Sequence, residues 1–163
     1  MSDPVIIEIV IAAPAEAVWR ALRDPAEIKR WFGWDYEGTE DEVDEIFVRG
    51  ATADENARTI DLGEGGRFEL SEQGTRTIVT VTRAAPAGAS GWDGIYDEVN
   101  QGWLTFLQQL RFMLERHPQG RRTALMVPLR GEEWFRTEHQ VGVVVEGRLV
   151  ISTPERVIVS AYG

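Results

Sequence analysis

The chain has 163 residues, 43% of them hydrophobic and with six Trp and six Phe, enough for one folded domain and too apolar for a disordered chain. A net charge of −10 argues against nucleic acid and anionic membrane surfaces, which both select clustered Lys and Arg. Cysteine is absent, so disulfides, thiolate metal sites and a cysteine nucleophile are excluded.

The first residues carry no basic segment, and the apolar run Val5 to Ala13 is broken by Glu8 and too short to span a bilayer. The expectation is a soluble cytoplasmic protein. Val5 to Ile11 is β-branched and alternating, which predicts a strand with Val5, Ile7, Ile9 and Ile11 on one face. Pro14 suits a helix start, and Ala15 to Leu22 follows with Val18, Trp19 and Leu22 on one side. Asp24-Pro25 opens a second short helix through Trp31, ended by Gly33.

Residues Asp35 to Glu45 hold seven acids and no base. The expectation is an extended, solvated arm, with Ile46-Phe47-Val48 entering a sheet and Ala51 to Arg58 turn-like. The acidic run offers carboxylate oxygens for Ca²⁺ but lacks the ligand spacing of a calcium-binding loop, so no metal is expected. Strands are predicted near Arg58–Leu62, Arg67–Leu70 and Arg76–Arg83, followed by a loop from Ala84 to Ser90.

A long helix is predicted from Gly91 to Arg116, stopping at His117-Pro118. With Trp92 at zero and steps of 100°, Tyr96, Val99, Trp103, Phe106, Leu107, Leu110 and Leu114 fall within about 60°. Such a stripe is either plain core or partly the wall of an apolar pocket. Phe112 and Leu104 point away from the stripe, by about 160° and 120°, which suggests a second contact surface. The strands after Arg122 are expected to fold back over it, with a dimer contact as the competing reading. Strands are predicted at Ala124–Leu129, Val141–Val145, Arg148–Ile151 and Val157–Ala161, with Glu146-Gly147 as a tight turn.

Signals for catalysis are thin. His117 reads as a cation at a helix end and His139 as a turn residue, and neither has metal-ligand spacing. No Gly-x-Ser-x-Gly elbow occurs, and Gly63-Glu-Gly65-Gly66 lacks the Lys-Ser/Thr of a phosphate loop.

Three clusters in this order carry a resemblance: Pro14 with Val18-Trp19-x-Ala21-Leu22, Asp24-Pro25 with Ile28-x-x-Trp31-Phe32, and Gly102-Trp103-x-x-Phe106-Leu107-x-x-Leu110. They resemble the START-like (SRPBCC) superfamily, in the branch similar to the carboxy-terminal domain of the activator of the heat-shock protein 90 ATPase. The resemblance implies an α+β helix-grip fold: a curved antiparallel sheet wrapped around the long helix, with two short helices near the amino terminus. In many members the space between sheet and helix holds an apolar small molecule. Residues 123–163 continue past that helix and are expected to be a β-rich extension of the same single domain, 1–163.

The expected function is binding or carrying a small apolar or aromatic molecule, without catalysis. The expected ligand-binding residues are Trp34, Phe68, Trp92, Tyr96, Val99, Trp103, Phe106, Leu107 and Leu110, with Trp34 as a gate and Trp31 as a staple. No catalytic residue, metal or cofactor is expected. An accessory protein acting on a protein partner is the second reading, and a polyketide cyclase-like enzyme using Tyr96, Arg67 or Glu69 the third. Alternation sends Arg67 and Glu69 to solvent if Phe68 and Leu70 face the helix, which weakens the third. Monomer and homodimer both stay open.

Overall fold

Alternation of apolar and polar residues places Val5–Ile11 in an edge strand, β1, whose Ile7, Ile9 and Ile11 are buried. The computed structural model describes residues 4–63, 66–84, 93–128, 141–145, 148–152 and 156–162. α1 (Ala15–Arg23) starts at Pro14, whose carbonyl accepts from the amides of Ala17 and Val18, and it buries Val18, Trp19, Ala21 and Leu22. α2 (Pro25–Ile28) is capped by Asp24, whose Oδ1 accepts from the Ala26 amide at 2.8 Å, with Pro25 in its first turn. Gly33 then reverses the chain at φ +65°, a backbone conformation that costs a residue with a Cβ.

The acidic stretch is helical, not an extended arm. α3 (Thr39–Val43) runs directly into wider, π-helical turns over Asp44–Arg49, closed by Gly50 N donating to Glu45 O at 2.8 Å. Glu40, Asp41 and Glu42 sit in the first turn, where the helix dipole favours negative charge. Val43, Ile46 and Phe47 fall three and four residues apart, so one face turns inward while the acids face water. Val43 and Phe47 are buried; Phe47 enters the core from a helix, not from the sheet.

β2 (Thr52–Asp54) and β3 (Thr59–Asp61) form a small hairpin where the sequence reads as turn up to Arg58. Asp54 Oδ1 accepts from the amides of Asn56 and Ala57, which closes the turn. β4 (Arg67–Gln73) and β5 (Arg76–Arg83) complete an antiparallel sheet in the order β1-β5-β4-β3-β2. Phe68 and Leu70 point inward and Arg67 and Glu69 outward, as alternation requires.

α4 (Asp93–Arg116) lies on the inner face of this sheet, where Trp103 meets Phe68. The chain then returns as β6 (Arg122–Pro128), β7 (Val141–Val145), β8 (Arg148–Ser152) and β9 (Arg156–Tyr162), an antiparallel sheet in the order β6-β9-β8-β7. This second sheet reaches the outer face of α4. Ser160 of β9 donates to the Gln109 side chain, Leu149 of β8 belongs to the core, and Thr105, Gln109 and Phe112 are all buried. Phe112 is only 5% exposed in a single chain, with the His117 ring 5.0 Å away, so its burial needs no dimer contact. Of the expected features, the 85–90 loop, the helix start at Gly91 and Trp92, His139, and Glu146-Gly147 lie outside the described residues.

Candidate functional site

Sheet, α4 and the end of α2 converge on one aromatic cluster. Trp103 stands edge-on to Phe68 at 5.4 Å and to Phe106 at 6.1 Å. Phe32 lies 4.8 Å from Phe106, 5.0 Å from Phe47 and 6.0 Å from Trp103. Edge-to-face and tilted pairs at these spacings suit the ring quadrupoles and add to plain area burial. Leu107 and Leu110 complete the face of α4 and are buried.

Six of the nine expected site residues have described side chains, and the structure brings them together. Phe68, Trp103, Leu107 and Leu110 are buried, while Phe106 and Trp34 are half-buried. Trp34 contacts Phe106 at 6.5 Å and Tyr36 at 6.1 Å, so an aromatic path runs from the surface to the cluster. Trp92 lies outside the described residues, as do the side chains of Tyr96 and Val99 on α4. Sequence reasoning missed Phe32 and Phe47 as cluster members, although the spacing of Val43, Ile46 and Phe47 was the signal for the second. Trp31 is a staple, but to α1: its Nε1 donates to Ala21 O at 2.8 Å.

Beside the cluster sits a polar junction with no sequence signature. Arg122, 5% exposed, donates from Nη1 to Trp31 O (3.0 Å), Gly33 O (2.8 Å) and Gln109 Oε1 (2.8 Å), and from Nη2 to Phe32 O (2.7 Å) and Lys29 O (3.2 Å). It thereby satisfies the carbonyls left open where α2 ends. Arg30 does the converse for α4: its Nη2 donates to the carbonyls of His117, Pro118 and Gly120. Each of two helix ends is thus capped by an arginine that follows the other. Both cations also sit where the helix dipole is negative.

A polar groove of about 400 Å³ opens here, lined by Lys29, Arg30, Asp35, Tyr36, Thr39, Glu40, Arg121, Arg122 and Thr123. Lys29 Nζ donates to Glu40 Oε1 at 2.8 Å across its rim, and this bond holds the Glu40 carboxyl below its usual range. The Tyr36 hydroxyl donates to Glu42, and that bond, with burial and the nearby acids, pushes its pKa up to about 12. Asp35 closes part of the β6 edge: its amide donates to Ala124 O and its Oδ2 accepts from Ala124 N, both at 3.0 Å. Among the described residues, no cluster of three or more His, Asp and Glu is placed to hold a metal ion, and no helix is long and apolar enough to cross a membrane.

One helix held against an antiparallel sheet, with two short helices after the first strand, gives this chain an α+β helix-grip fold. Residues 12–82 match the family described as Activator of Hsp90 ATPase homolog 1-like protein. Among solved structures, the Aha1 dimer from Colwellia psychrerythraea is similar at 18% identity and TM-score 0.51, over 71% of this chain and 98% of that one. The di-domain ARO/CYC BexL from the BE-7585A biosynthetic pathway is similar at 15% identity and TM-score 0.53, over 92% of this chain and 65% of that one. CalU16 from Micromonospora echinospora is similar at 25% identity and TM-score 0.48, over 70% of this chain and 66% of that one. No curated protein matches the chain.

Proposed function

We propose that this protein binds or carries a small apolar or aromatic molecule between the β1–β5 sheet and α4, without catalysis. The observation that supports this reading is the pair Trp34 and Phe106. These two rings are half-buried and in contact at the margin of an otherwise buried aromatic cluster. Large rings left partly open beside a packed apolar wall are suited to cover an apolar guest. Trp34 is the gate and Phe68, Trp103, Phe106, Leu107 and Leu110 form the wall, with Trp92, Tyr96 and Val99 kept as ligand-binding residues on the sequence pattern alone. Strands β6–β9 act as a cover over the outer face of α4 within one domain, and the protein works in the cytoplasm.

Calorimetric titration with 1-naphthol tests the reading. A saturable heat is expected, with affinity weakened about fivefold by Trp34→Ala, the scale of one lost aromatic contact. Absence of saturation in the parent protein contradicts it.

A second reading, action on a protein partner, is favoured by β1. Among the described residues this strand pairs with β5 alone, and Ile6 and Val10 on its outer face are 63% and 40% exposed. The similar Aha1 is a dimer, and the same edge would serve a second copy of this chain. A cyclase-like enzyme is the weakest reading, because Arg67 and Glu69 face water.

A further inference from the structure

We infer that the groove between the end of α2 and the start of β6 receives an oxyanion, carboxylate or phosphate, carried by the molecule that the aromatic cluster binds. The inference rests on the carrier reading and adds the polar end of the ligand.

The groove has four cations, Lys29, Arg30, Arg121 and Arg122, against two carboxylates, Asp35 and Glu40, in a chain whose net charge is −10. Local positive charge in an acidic protein concentrates anions where the rest of the surface repels them. Most of these cations are already engaged. Arg30 and Arg122 hold backbone carbonyls, and Asp35 holds Ala124. Arg121 differs: it is exposed on the groove wall, and among the described residues its guanidinium makes no hydrogen bond or ion pair. A planar guanidinium of this kind matches two oxygens of a carboxylate or phosphate. Lys29 is the second donor, since its partner Glu40 is 79% exposed and readily displaced. Tyr36 forms part of the groove wall and touches Trp34, which touches Phe106. Polar groove and aromatic path are therefore continuous, and one amphipathic molecule can occupy both.

The test compares 1-naphthoate, 1-naphthyl phosphate and the neutral 1-naphthamide by calorimetry, on the parent protein and on Arg121→Gln. At least one anion is expected to bind about five- to tenfold more tightly than the amide, the scale of one charge-assisted hydrogen bond near a surface. Arg121→Gln is expected to erase that advantage while leaving the amide unchanged, and the tighter anion identifies the oxyanion. Equal affinity for anions and amide, or an advantage that survives Arg121→Gln, overturns the inference and leaves the carrier reading intact. Failure of all three probes to bind overturns both.

Discussion

Replacing Arg122 with methionine is expected to destabilise the fold by about 3–5 kcal/mol, the scale for removing one member of a buried charged network. The guanidinium is buried and donates to four backbone carbonyls and the Gln109 side chain. Methionine fills a similar volume but takes the Arg122 donor from the carbonyls of Lys29, Trp31 and Phe32, at about 1–3 kcal/mol for each one that water cannot reach. Gly33 O keeps the Gln109 amide, and Gln109 Oε1 keeps Ser160. Lysine at the same position keeps the charge but has no planar fork, so Arg122→Lys should recover less than half of the loss. Arg121→Gln, one residue earlier and exposed, should stay within about 0.5 kcal/mol. Urea denaturation of the three variants measures the differences. A loss below about 1 kcal/mol in Arg122→Met would show that the junction does not hold α2, α4 and the second sheet together.

Trp103→Ala is the second large effect, expected at about 3–5 kcal/mol, the range for truncating a buried Trp. Trp103 contacts Phe32, Phe47, Phe68 and Phe106, so its loss removes the centre of the cluster and leaves a hole bounded by four rings. For a domain of this size, the thermal midpoint should fall by roughly 10 °C. Added indole should restore part of that fall, because an apolar void takes up an apolar guest of matching shape. A midpoint within 3 °C of the parent, roughly what 1 kcal/mol shifts in a domain this size, would mean that the cluster relaxes around the hole and that its ring contacts carry little energy.

Much of this architecture was readable from residue order. β1 and β5 announce themselves by alternation, α1 by Val18, Trp19 and Leu22 on one side, and α4 by a stripe of large apolar residues ended at His117-Pro118. The strands after α4 were also readable, and the position of Phe112 foretold that they would cover its outer face. The acidic segment misled, because seven acids suggest a solvated extended arm until the inward spacing of Val43, Ile46 and Phe47 is weighed against them.

The polar junction was not readable at all. Gln109 and Thr105 look like solvent-facing helix residues, since periodicity marks one apolar face and cannot announce that a second sheet will bury the other. Arg122 at a strand start and Arg30 at a helix end each look like ordinary surface cations. Their role as reciprocal caps exists only once α2 and α4 finish side by side. Of the proposed site residues, Phe68, Trp103, Leu107 and Leu110 were legible from alternation and helical spacing as inward-facing, and they are buried. The sequence also singled out Trp34, whose half-buried ring links the surface to that wall.

Native mass spectrometry of freshly purified protein weighs the carrier account most directly. A co-purifying small molecule, released on denaturation and present at lower occupancy in the Trp34→Ala variant, is the expected spectrum. Bare chain in gentle conditions, still bare after incubation with aromatic acids and their neutral analogues, would contradict it.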